Sequence, residues 1–216
     1  MILPQIIVIL LLIESIVLHE MAHGFVAMLF GDQTAKRQGR ITFNPIPHID
    51  PIWTIVVPLA AYLLSGGSFI IGGAKPVPVN PYNYRRPVLG DICVSAAGVT
   101  VNFLIAILMI VLINIVFLAS GSPADSIMVH VLLKVAMLNI LLGVFNLIPI
   151  PPLDGSHLFK YLLPEDLRGP YENLGRSGVG FLILILVINI PVLWNVISTM
   201  IYRLDHALIT NLIVFR

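Results

Sequence analysis

The sequence has a single cysteine, no long basic run and few charges of either sign, and each shortage closes off a class of protein. Cys93 cannot form an internal disulfide, and it stands at the start of an apolar stretch where a small buried thiol needs no function. The formal net charge is +1, with no basic face, so nucleic acid is set aside as a partner. Charged residues make up 11% of the chain, against about 25% in an ordinary soluble domain, while 58% are hydrophobic. That balance argues against a soluble globule.

What is present instead is a series of apolar runs. Met1–Phe30, Ile92–Leu118, Ser126–Ile148 and Val179–Met200 each reach or exceed the roughly 20 residues needed to cross a hydrocarbon layer. The expected fold is an all-α polytopic membrane protein, a bundle of about four full spans within one membrane-embedded domain over residues 1–216. Met1–Phe30 lacks the basic start of a cleavable signal and reads as a retained helix.

Basic residues orient the bundle, because short loops rich in them stay on the cytoplasmic side. Lys36, Arg37 and Arg40, then Lys75, Arg85 and Arg86, then Lys160, Arg168 and Arg176 mark three such loops, whereas Ala119–Asp125 has no basic residue and is expected outside. Ile52–Ile71 is apolar enough to cross once, but a single crossing would put Lys75, Arg85 and Arg86 on the wrong side. Pro58 interrupts it and Gly66, Gly67, Gly72 and Gly73 follow, so it is expected to dip into the membrane and return. Arg40–Phe43 and Val77–Val79 read as short extended strands or turns at the membrane surface, and Tyr202–Arg216 as a short interfacial helix.

Within the first span the chain reads "LHEMAHG", Leu18 to Gly24. His19 and His23 are four apart, so on a helix they project from one face and can reach a single ion, while Glu20 is angled to address a water on that ion. Ionisable groups are expensive within a membrane segment, and their presence there points to function. A catalytic zinc takes three protein ligands and keeps a fourth position for water. Asp154 in "FNLIPIPPLDG", Phe145 to Gly155, offers the third, where Pro149, Pro151 and Pro152 end the helix that starts near Ser126. Both ligand sets fall on the cytoplasmic half if Ile52–Ile71 makes an even number of crossings.

These residues resemble the site-2 protease family of intramembrane zinc metalloproteases. "LHEMAHG" is similar to that family's first motif and "FNLIPIPPLDG" to its second, and "AKPVPVNPYNYR" and "SAAGVTVNF" resemble stretches between them, over about residues 18–157. The resemblance implies one zinc ion per chain held by His19, His23 and Asp154, with Glu20 as general base. The family often has Ala-Gly-Pro with an Asn three residues on; here Val99 follows Gly98 and Asn102 keeps its place, which puts the local turn in question. The chain reads as a minimal catalytic unit without extra regulatory domains, 158–216 being a C-terminal helical region.

The implied reaction is hydrolysis of a peptide bond in or near a transmembrane segment of a protein substrate embedded in the lipid bilayer; a homo-oligomer is left open. Gly39–Phe43 is expected to offer a strand edge for the extended substrate, with Asn102 and Asn146 bonding substrate or oxyanion, or else bonding helix to helix. His48 and Asp50 read as a solvated loop pair, Glu14 as a carboxyl turned away from the imidazoles, and His157 as a loop residue near Asp154. His130, Lys134 and His206 carry no catalytic role. The rival reading is a metal transporter or sensor using the same ligands. The two part at Glu20, since a hydrolase needs a base there and a carrier does not.

Overall fold

A computed structural model describes residues 2–64, 66, 72–120 and 127–212. Three helices among them are long and apolar enough to cross a membrane: α1 (Leu3–Leu29), α4 (Pro87–Ser120) and α5 (Ile127–Asn146). Between them lie α2 (Thr34–Arg37), a π-helical turn (Pro51–Val56) and α3 (Val57–Leu64), and after them α6 (Asp154–Phe159), α7 (Glu165–Arg176), α8 (Val179–Asn189) and α9 (Pro191–Leu212). The chain is an integral membrane protein built around this helical bundle.

Packing divides each spanning helix into an inner stripe and an outer one. On α1, Ser15, His19, His23 and Ala27 follow one another at four-residue steps, so they share a face, and three of the four are buried. Ile9, Leu10, Leu104, Leu108 and Val111 stay exposed, apolar surface suited to lipid. Between the helices, Met109 and Ile110 of α4 pack on Val131, Val135 and Ala136 of α5, with Val8 and Leu11 of α1 closing the cluster. Nearer the site the ring of Phe103 lies where a side chain at Gly143 would go, which draws α4 and α5 together.

The fourth expected span is not one helix. Pro191 supplies no N–H, and a proline disfavours helical backbone in the residue before it; Ile190 is extended, at φ −83° and ψ 113°, and separates α8 from α9. Neither piece is among the helices long and apolar enough to cross. Tyr202–Leu212 continues α9, and 213–216 lie outside the described residues, as does most of the expected outer loop Ala119–Asp125.

The expected surface strands do not form either, because their backbone groups are bonded elsewhere. Residues 41–43 bend, and no β ladder occurs among the described residues. Val77 N–H donates to the Glu20 carboxylate at 2.8 Å and Asn80 N–H to Asp32 at 2.7 Å, so the extended 77–80 segment is held by side chains of α1 and the turn after it. Gly24 makes room for this: a Cβ there would lie 2.9 Å from both Ala35 Cβ and Val77 Cγ1.

For Ile52–Ile71, residues 65 and 67–71 lie outside the described residues, but both ends of the excursion meet. Gly73 N–H donates to Trp53 O at 3.0 Å and Thr54 Oγ1–H to Gly73 O at 2.7 Å, which ties Gly73 to the π-helical turn.

Asp32 anchors the loops under α1. It is fully buried and accepts from Thr34 N–H at 3.1 Å, Thr34 Oγ1–H at 2.5 Å, Asn83 Nδ2 at 2.8 Å and Asn80 N–H at 2.7 Å. Burial pushes the carboxyl up, but these donors outweigh it and hold the group below its ordinary value. With the folded value below the unfolded one of about 3.9, the stabilisation is complete at neutral pH and is lost as pH falls through the folded value. Asp32→Ala is expected to cost about 2–3 kcal/mol by stranding buried donors, read as a lowered thermal unfolding midpoint in detergent. The gap between wild type and variant should close as the medium is acidified below about pH 4.

Candidate metal centre and active site

His19 and His23 reach the bundle interior from the C-terminal half of α1, and Asp154 arrives from the other end of the chain as the first residue of α6. The chain between α5 and α6 turns tightly: Gly155 packs directly on the Leu147 carbonyl, where no side chain would fit. That turn carries the Asp154 carboxylate back under α5 to the imidazoles.

Asp154 Oδ2 stands 3.3 Å from His19 Nε2 and 3.4 Å from His23 Nε2, and the two Nε2 atoms are 3.1 Å apart. Donors about 2.0–2.1 Å from one zinc ion stand about 3.3 Å apart along a tetrahedral edge, so this triangle has the dimensions of one face of a zinc site. Chemistry agrees with size. His23 Nδ1 lies 2.7 Å from Val94 O, which can only accept, so the neutral ring carries its proton on Nδ1 and turns a bare Nε2 inward. Asp154 Oδ2 is buried with no hydrogen-bond donor of its own. Acceptors crowded face to face in an apolar bundle suit a cation between them. The residues present fit zinc, with a fourth position left for water.

Room for the two imidazoles comes from α4. A Cβ on Gly98 would lie 2.5 Å from His19 Cε1 and from His23 Nε2. The helix runs unbroken past Val99 to Asn102, so the sequence departure at Val99 leaves no turn there. Asn102 is fully buried, its Oδ1 2.6 Å from His19 Nδ1 and its Nδ2 donating to Asn139 Oδ1 at 3.0 Å. Glu20, beside His19, holds Oε2 against Val77 N–H. Asn146 ends α5 and donates Nδ2 to Leu142 O at 3.0 Å.

The remaining candidates have other partners. His48 lies 3.2 Å through Nε2 from Thr42 O, and its burial, the largest influence, lowers its affinity for a proton. Asp50 Oδ1 caps the π-helical turn by accepting from Ile52 and Trp53 N–H, both at 2.9 Å. His157 Nδ1 is 3.7 Å from Asp91 Oδ1. Asp91 belongs to a cluster that sequence reasoning missed: Lys160 Nζ lies 2.7 Å from Asp91 and 2.7 Å from Glu172, and Tyr161 Oη–H donates to Asp91 at 2.9 Å. Burial works against the Lys160 ammonium, but the two carboxylates hold it well above its ordinary value. The cluster pins α6 and α7 to the start of α4. Its sequence signal was Asp91, an acid near the start of a helix that is otherwise almost wholly apolar.

The sequence profile described as peptidase family M50 matches residues 112–188, which contain the second motif and run on into the C-terminal region. Over 197 residues the chain is 34% identical to a Bacillus subtilis protein named "Putative zinc metalloprotease YwhC", covering 87% of this chain and 84% of that one. The chain belongs to peptidase family M50, the site-2 protease family. Rip2 of Mycolicibacterium smegmatis, under the same description, is 31% identical over 180 residues, 83% of this chain and 65% of its own length. Zinc metalloprotease MJ0392 of Methanocaldococcus jannaschii is 25% identical over 202 residues, 89% of this chain but 46% of that protein. No solved structure matches the chain. As an M50 member the chain is a zinc-dependent metalloendopeptidase.

Gly98→Ala is expected to leave an M50 fold without its metal. Zinc content of the purified variant should fall to a small fraction of one ion per chain while the far-ultraviolet helical signal stays at the wild-type level. Full zinc occupancy would mean that α4 does not limit the space.

Proposed function

We propose that this chain hydrolyses peptide bonds in or beside transmembrane segments of membrane proteins, using zinc held by His19, His23 and Asp154. The observation that carries this is the buried, donorless Asp154 Oδ2 facing His19 and His23 Nε2 at 3.3 and 3.4 Å, with Glu20 next along α1. Bound there, zinc supplies a Lewis acid for the scissile carbonyl and lowers the pKa of water from about 16 toward about 7.

The chain's own groups do the rest. Val77 N–H fixes one oxygen of Glu20, which leaves Oε1 to take a proton from the attacking water and return it to the departing amine. Asn102 has both ends of its amide engaged within the protein, which supports its acting on His19 rather than on substrate. Asn146, at the end of α5 before the turn into Asp154, is the residue we assign to the substrate main chain or the developing oxyanion.

Loop charge supports a cytoplasmic active site and, in a prokaryote, residence in the cell membrane. The hydrogen bonds joining Gly73 to Trp53 and Thr54 support reading Pro51–Gly73 as a re-entrant excursion, so α1 and α4 connect on one side. Water reaches the metal from that same side, through the polar loops. The whole chain forms one membrane-embedded unit.

Glu20→Gln is expected to lower cleavage of transmembrane peptides in detergent or proteoliposomes by at least about 100-fold while zinc stays bound, since removing the base does not remove a ligand. Asp154→Asn should instead lose zinc and cleavage together. Cleavage by the Gln variant at the wild-type rate would remove Glu20 from the mechanism, and zinc flux persisting without any cleavage would favour a carrier.

A further inference from the structure

His19 faces the metal site through Nε2, and which tautomer it adopts is decided by a run of hydrogen bonds that starts at a main-chain carbonyl and crosses all three spanning helices. Ser15 donates its one hydroxyl proton to Leu11 O at 2.9 Å, so toward any other partner Oγ can only accept. Asn139 Nδ2 on α5 donates to it at 3.0 Å and gives its second proton to Val135 O at 2.9 Å. Both amide protons are thereby used, and Oδ1 is what Asn139 offers in its remaining direction.

There it accepts from Asn102 Nδ2 of α4 at 3.0 Å, which turns Asn102 Oδ1 toward His19 Nδ1 at 2.6 Å. A carbonyl oxygen can only accept, so the proton of neutral His19 sits on Nδ1 and Nε2 is bare. Flipping the Asn139 amide would set its oxygen against the Val135 carbonyl. With Ser15 at 2% and both asparagines at 0% exposure, no water is at hand to reverse the direction. Two amides and a hydroxyl are joined end to end in an apolar interior, where each would cost free energy if unpaired.

We propose that Asn139, with Ser15, is a positioning residue for His19: it orients Asn102 so that the imidazole presents a metal-binding Nε2. This rests on the reading of His19, His23 and Asp154 as zinc ligands. Outer partners of ligating histidines typically change metal affinity by about 10–100-fold when removed.

The test uses the full chain in detergent, wild type beside Asn139→Leu and Asn139→Asp. Leu abolishes the acceptor that orients Asn102; Asp keeps it. In zinc-free wild type at a pH where the imidazoles are neutral, nitrogen NMR of His19 should report Nδ1–H, and a dominant Nε2–H form would overturn the proposal whatever the variants do. Asn139→Leu should shift His19 toward Nε2–H and speed zinc loss to a chelator by about 10–100-fold, with Asp restoring slow loss. If the folded Leu variant has a lowered unfolding midpoint but unchanged tautomer and zinc loss, Asn139 is structural only and the proposal fails. If Leu does not fold, the wild-type tautomer and the Asp variant still decide. Wild type that binds no zinc yet shows the Nδ1–H form would refute the zinc reading while leaving the relay standing.

Discussion

A polar side chain in the interior of this bundle has no water to fall back on, and that constraint organises the molecule. Each one must meet a partner, donor against acceptor, or carry a penalty of several kcal/mol. Ser15, Asn102 and Asn139 meet this demand among themselves, and His23 meets it with a carbonyl of α4. The Asp154 carboxylate and the inward nitrogens do not, because all are acceptors. A bound cation would satisfy that unmet demand, and the same partnering that holds α1, α4 and α5 together also orients the imidazoles.

Where sequence and structure agree, the reason is a short-range rule acting on few residues. The four-residue spacing of His19 and His23 survives because a helix is rigid on that scale, and the prolines before Asp154 end α5 because they cannot join its hydrogen bonds. The convergence of Asp154 on the histidines followed from loop charge and an even number of crossings, an argument about sides that needs no atomic detail. Gly98 and Asn102 were noticed as motif positions, but their work was not visible, since it depends on how closely α4 approaches α1.

Disagreements arise where long-range partners override a local pattern. Val77–Val79 has the alternation of a strand, yet carboxylates of Glu20 and Asp32 take the donors at 77 and 80 that a ladder would use. Val179–Met200 has the hydropathy of a span, but Pro191 divides it. Asn139 drew no attention because a lone amide in an apolar helix says only that it has a partner. Asp91 was passed over for the same reason, although Lys160 and Tyr161 come to it from beyond the second motif.

The donors of the centre come from opposite ends of the folding order. His19 and His23 stand in the first of the three long apolar helices, whereas Asp154 follows the last of them. A nascent chain therefore carries both imidazoles long before it carries the carboxylate. Until the turn after α5 is made, the two imidazoles lack the carboxylate that faces them in the folded protein.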